Sequence, residues 1–220
     1  MRGFPSVLRF LRAGVPALVL LSGGCTDVPI ESAPASAPES AEPSAGVRVT
    51  GKAPPALGGH SAVVMLQPLD GSAPGALEGT KYMDQLGSTF HPKVLVVGAG
   101  QVVEFINSED VFHNVRAVDG ESGETEFNVA SPPFVSYPHT FAEPGVFDLG
   151  CDIHPAMAAF IVVSSTPFAV VADEDGSFAL ADVPPGLYKL TVWHLEAEQR
   201  SEREVQIGGD GGEVRLDLSP

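Results

Sequence analysis

A chain of 220 residues with 44% hydrophobic content can bury a real core, in one large or two small domains. Its 12 basic and 28 acidic residues give a formal charge of −16. That charge excludes affinity for nucleic acid or anionic lipid surfaces and favours basic partners.

The chain opens with Arg2, Arg9 and Arg12, an apolar run from Ala13 to Leu21, and then LSGGC. The run is far too short to span a bilayer, so the segment 1–24 reads as a secretory signal. Its end resembles a bacterial lipobox, with Gly23 and Gly24 preceding Cys25 as the lipidated residue, although Ser22 stands where Leu is usual. Export to the periplasm or cell envelope, with a lipid anchor on Cys25, is the expectation; ordinary export without lipid is the alternative. Cleavage before Cys25 removes three of the 12 basic residues and no acids, which leaves nine against 28, formally −19. A lipidated Cys25 would leave Cys151 as the single thiol, and an unpaired thiol in an oxidising compartment has to be buried or bound.

Residues 25–45 are mostly Pro, Ala, Ser and Glu and read as a disordered or polyproline-like tether. At about 3.1 Å per residue when extended, it could hold the folded part several tens of Å from an anchor. From residue 46 onward the pattern predicts strands throughout. Short apolar runs (VRVTG, AVVML, KVLVVGAGQVVEFIN, GVFDLGC, AFIVV, FAVVADEDGSFAL, LYKLTVWHLE) are separated by Gly, Pro, Asp and Asn. No window sustains a helical period, so the expected class is an all-β sandwich architecture.

The segment DEDGSFALADVPPGLYKLTVWH combines an Asp-Gly hairpin turn, a Pro-Pro-Gly turn and an alternating strand. It resembles the second half of a carboxypeptidase regulatory-like, transthyretin-type sandwich. The first strands of such a module are missing just upstream but have a counterpart at 46–70. The expectation is therefore a discontinuous outer sandwich, 46–75 plus 165–220, with a second sandwich inserted at 82–164. The alternative gives 46–75 to the inserted sandwich, and pairing of 62–67 with the C-terminal strands would favour insertion.

The chemistry concentrates in LGCDIHPAM, residues 149–157. If the preceding run is a strand, Gly145, Phe147, Leu149 and Cys151 share one face and the thiol points inward. His154 and Met157 follow at three-residue steps and can turn back to the same point. Thiolate, imidazole and thioether together suit copper, and a second histidine from a distant strand end would complete a trigonal His₂Cys set with a weak axial Met. NSEDVFHNV offers His113, after a strand and an acidic turn. Each ligand has an ordinary reading too: Cys151 as a buried thiol, Met157 as core filler, His113 as a turn residue. Pro155 stiffens the loop beside His154.

Residues 82–164 resemble a Greek-key cupredoxin of the amicyanin, plastocyanin and pseudoazurin kind. The resemblance rests on Phe90, Pro92 and Val94, on GQVVEFIN, on His113-Asn114-Val115 and on GVFDLGCDIHPAM, whose C-x2-H-P-x-M spacing is closest to amicyanin. Leu149 departs from the family's frequent aromatic. The wider layout is similar to exported proteins described as plastocyanin-like or methylamine-utilisation proteins. The resemblance implies one type 1 copper per chain held by His113, Cys151, His154 and Met157, with Asn114 tying the two ligand loops together. It implies a one-electron carrier, not an enzyme, whose partner is a redox protein such as a cytochrome c or a dehydrogenase. Pro155, Ala156 and Ala158 would form a docking patch around His154, and Asp119, Glu121, Glu124 and Glu126 would steer a basic partner. A copper storage or delivery module and an extracellular glycan- or protein-binding module are the alternatives.

The remaining histidines carry less. His139 reads as structural, and His60, His91 and His194 have no partner pattern. Trp193 reads as a core residue. DEDG and GGDGGE lack EF-hand spacing and read as turns. The C-x-x-C-H of a c-type haem is absent, and a structural zinc would want four firm N or S ligands.

Overall fold

The fold was taken from a computed structural model that describes residues 46–72, 75, 77–195, 199–208 and 213–217. The signal segment, Cys25 and the tether lie outside the described residues. Among the described residues every regular element is a strand. They are β1 (Val47–Lys52), β2 (Val63–Pro68), β3 (Lys81–Gln85), β4 (Phe90–His91), β5 (Val94–Gly98), β6 (Val102–Asn107), β7 (His113–Asp119) and β8 (Thr125–Ser131). There follow β9 (Ser136–Thr140), β10 (Gly145–Gly150), β11 (Ala158–Ser164), β12 (Ala169–Val171), β13 (Ser177–Val183), β14 (Gly186–His194), β15 (Gln199–Ile207) and β16 (Glu213–Asp217). The all-β sandwich architecture expected from the sequence is what forms.

Four sheets result. The middle of the chain builds two, in the orders β5-β11-β10-β7-β8 and β4-β3-β6-β9. Between them lies a core that includes Met83, Phe90, Phe105, Phe141, Phe147, Leu149 and Ile161. The two ends of the chain build the others, β13-β1-β16 and β12-β2-β14-β15. These enclose a second core with Val49, Leu66, Phe178, Leu180 and Leu190. Strand β2 pairs with β12 and β14, Val64 standing opposite Val192.

Several strands are buried on both faces, which explains why they read as unbroken apolar runs rather than as alternations. In β11, Ile161 and Val163 enter the middle core while Val162 joins Val63, Val94, Val96 and Leu195 in a third cluster. In β2, Val64 and Leu66 face the terminal core while Val63 belongs to that third cluster.

The turn signals mark true reversals, with a different consequence from the hairpins expected. Asp173–Ser177 closes tightly, Gly176 N–H donating to Asp173 O at 2.8 Å. Gly176 has φ +87°, and a Cβ there would lie 2.0 Å from Ala53 O, so only glycine fits. The strands it joins do not form a ladder: β12 pairs with β2, and β13 with β1. The Asp-Gly and Pro-Pro-Gly turns therefore carry the chain from one sheet to the other.

Phe105 is 1% exposed at the centre of the middle core. Phe105→Ala is expected to destabilise the fold by about 3–5 kcal/mol, read as a lower midpoint in urea by circular dichroism.

Candidate metal centre

Phe147 and Leu149 face the core along β10, and Cys151, one residue beyond its end, continues that face and is 4% exposed. Antiparallel pairing of β10 with β7 sets Gly150 opposite Arg116, which brings the Cys151 loop alongside His113 at the start of β7. Gly150 also pairs with Ala158, so residues 151–157 form a closed loop between β10 and β11. Within it, Met157 N–H donates to His154 O at 2.9 Å.

Three donor atoms converge. His113 Nδ1 and His154 Nδ1 lie 2.9 Å apart, and Cys151 Sγ lies 4.0 Å from the first and 3.8 Å from the second. Among the described residues this is the one group of three His, Cys, Asp or Glu side chains close enough to share a metal ion. His113 is fully buried, His154 partly exposed. Met157, 1% exposed, lies in the same core cluster as Cys151. The sulfur-to-nitrogen gaps are shorter than the sum of one metal–sulfur and one metal–nitrogen bond, about 4.3 Å, so one ion can bridge them. A thiol, two imidazoles and a neighbouring thioether, largely shielded from water, make a donor set that fits copper.

The sequence did not single out Glu109. Its Oε2 lies 2.6 Å from His113 Nε2, while Oε1 accepts the Ser88 N–H at 2.9 Å. A carboxylate there keeps the His113 proton on Nε2 and leaves Nδ1 with a free lone pair facing the site. The His113 hydrogen bond is also the leading reason that the Glu109 carboxyl is held below its ordinary value of 4.5. The buried Asn107 holds the intervening loop, donating to Val111 O at 2.9 Å and Ser131 O at 2.8 Å. The i,i+4 spacing in EDVFH was the available signal, but one acid among 28 gives no contrast.

Asn114 Oδ1 accepts from the Cys151 thiol at 3.2 Å and from the Asp152 N–H at 2.7 Å, so its side chain bridges the two loops. Pro155, Ala156 and Ala158 are exposed beside His154. The apolar surface is larger than those three residues: Phe112 and Ile153 flank the histidines and are about half exposed. Phe134 is 73% exposed and sits at φ +60°, a left-handed backbone that bulky residues rarely adopt. Its neighbour Val135 accepts the Asn107 N–H, in the same loop assembly.

The acids read as a steering surface lie elsewhere. Asp119 closes β7 at the end opposite His113, six residues away, about 20 Å at strand rise. It is occupied there by the N–H groups of Glu121 and Ser122. Glu126 pairs with His139 at 3.0 Å, which gives His139 the structural place expected of it. His194 is buried and bonded to Pro55 O, His60 packs edge-on against Phe160, and Trp193 lies under the Arg200 guanidinium.

No family model matches the chain, and no curated protein does. Among solved structures it is similar to a copper-containing nitrite reductase from Thermus scotoductus SA-01, at 30% identity over 44% of this chain and 25% of that one, TM-score 0.36. A purple cupredoxin from Nitrosopumilus maritimus matches at 23% identity over 38% of this chain and 99% of its own, TM-score 0.35. A reduced amicyanin variant matches at 29% identity over 47% and 99%, TM-score 0.36. The chain spans about a quarter of the length of the nitrite reductase it matches. At such low TM-scores these likenesses decide nothing, and the metal reading rests on the donor set itself.

Glu109→Gln is expected to weaken metal binding about 10- to 100-fold without altering the far-ultraviolet spectrum, as measured by competition with a chromophoric chelator. Because the Glu109 carboxyl is depressed, the stability it contributes is full above 4.5 and is lost as pH falls through its folded value. The thermal advantage of the wild type over Glu109→Gln should shrink over that acid range.

Proposed function

We propose that this chain is an exported one-electron carrier with a single type 1 copper held by His113, Cys151, His154 and Met157. The observation that carries the reading is the convergence of Cys151 Sγ with two imidazole Nδ1 atoms, all within 4.8 Å of one another. Bound copper would supply a Cu(II)/Cu(I) couple at that point. The protein's part is to hold the ligands still: Glu109 fixes the His113 tautomer, Asn114 fixes the loop at Cys151, and the 154–157 turn fixes the approach of Met157. Ligands that are already in place rearrange little when the charge on the metal changes, which suits a carrier. Met157, buried in the same core cluster as Cys151, is the thioether available as a fourth ligand.

His154, partly exposed beside Ile153 and Pro155, is the natural exit for an electron. A redox protein such as a cytochrome c or a dehydrogenase would dock its own apolar rim there. Export and a lipid anchor on Cys25 are part of the proposal and rest on the N-terminal sequence. They accord with Cys151 being a buried thiol with no disulfide partner among the described residues. The domain reading belongs here as well: an outer sandwich, 46–75 plus 165–220, carries the copper sandwich 82–164 as an insertion. The pairing of β2 with β14 supports it.

Adding Cu(II) to the purified metal-free protein should give an intense visible thiolate-to-copper band that saturates at one copper per chain. Cys151→Ala should abolish it. A colourless product, or a band that survives Cys151→Ala, would overturn the assignment. With the band present, a reversible one-electron wave supports the carrier, whereas rapid surrender of copper to a metal-free acceptor protein supports delivery.

A further inference from the structure

The residue between the thiol and the second histidine's approach is itself unusual. Asp152 continues the outward face of β10, the side away from the core, and four hydrogen bonds link it to the β7–β8 hairpin, three accepted by its carboxylate and one donated by its N–H. Its N–H donates to Asn114 Oδ1 at 2.7 Å, the same oxygen that faces the Cys151 thiol. Its Oδ1 accepts from Arg116 Nε at 2.9 Å. Its Oδ2 accepts from Asn114 Nδ2 at 3.1 Å and from Asn128 Nδ2 at 2.9 Å. Asn114 Nδ2 also donates to Asn128 Oδ1 at 2.8 Å. Arg116 and Asn128 stand directly opposite each other across the β7–β8 ladder. The Asn114 amide therefore has one permitted orientation, because its oxygen meets a backbone donor and its nitrogen meets two acceptors.

We propose that Asp152 is a positioning residue that sets the redox balance of the Cys151 site. It locks Asn114 against the sulfur and places one negative charge beside the ligand loop, with Arg116 as the partial counter-charge. The inference rests on the copper reading of the preceding section and adds to it a group that is not a ligand. Two effects follow, and they have different signatures. A negative charge near the metal stabilises Cu(II) relative to Cu(I), and a positive one does the reverse. The lock acts on the sulfur even without metal, since the Asn114 oxygen is the acceptor for the thiol hydrogen.

The test uses the full chain in a Cys25→Ser background, so that Cys151 is the single thiol. Asp152→Asn removes the charge and, in either amide orientation, sets its nitrogen against a donor: Arg116 Nε on one side, or the Nδ2 groups of Asn114 and Asn128 on the other. Arg116→Gln removes the counter-charge and leaves the contacts to Asn114 and Asn128 in place. In the copper-loaded proteins the Cu(II)/Cu(I) affinity ratio, read from the reduction potential, should fall in Asp152→Asn and rise in Arg116→Gln. Each change should be on the order of several-fold, as one charge at a partly solvated boundary gives. In the metal-free proteins, alkylation of Cys151 by iodoacetamide should speed up several-fold in Asp152→Asn and stay near the wild-type rate in Arg116→Gln. A purely structural role would move both potentials in the same direction, or neither, and that result overturns the proposal, as does an unchanged alkylation rate in Asp152→Asn. Should Asp152→Asn fail to fold, Asn128→Ala, which removes one donor from the lock, should give the faster alkylation in its place. Copper uptake without a thiolate band would count against the copper reading alone, because the alkylation rates judge the lock independently.

Discussion

The pairing of β7 with β10 is the constraint from which the site follows. Two strands, β8 and β9, separate them along the chain, yet the register that sets Gly150 beside Arg116 brings Cys151 next to His113. Side chains alternate along a strand, so a slip of one residue would turn Cys151 to solvent and Asp152 into the core. The register is held from both sides. Phe147 and Leu149 have to enter the hydrophobic cluster, and β11 pairs back onto β10 from Val163 to Ala158. Core packing thus places the thiol, and the return strand places the histidine and methionine that follow it.

Around that geometry the polar groups are arranged so that little has to move. A buried imidazole needs a partner for each nitrogen. His113 meets Glu109 at Nε2 and His154 at Nδ1, and the carboxylate, which can only accept, keeps the proton on Nε2. The Cys151 thiol meets Asn114, which is itself fixed by Asp152 and Asn128. The terminal sheets add support at the opposite face of β11, where Val162 meets Val63 and Leu195. The strand that closes the ligand loop is therefore packed on both faces.

What the sequence revealed and what it hid divide along physical lines. The convergence of Cys151 and His154 was legible because both residue types are rare here and their spacing is local. His113 was legible because it follows a strand and an acidic turn. The doubly buried strands β2, β5 and β11 announced themselves as apolar runs. Strand β15, QRSEREVQI, did not: its first six side chains are exposed, and only Val205 and Ile207 near its end reach the core. Glu109 and Asp152 were hidden because their roles depend on neighbours brought together by the fold, and single acids are inconspicuous in so acidic a chain. The reach of the apolar surface was hidden likewise, since Phe112, Phe134 and Ile153 come from three separate loops. The turns at Asp175-Gly176 and Pro184-Pro185-Gly186 were correctly read as reversals, but whether a reversal stays within one sheet is decided by pairing partners far along the chain.

The copper reading requires one sulfur and two imidazole nitrogens to share a single ion. X-ray absorption at the copper edge of the loaded protein measures this directly. One short copper–sulfur distance together with two copper–nitrogen distances in a low-coordinate site is expected. A spectrum fitted by nitrogen and oxygen neighbours alone, with no sulfur, would contradict it.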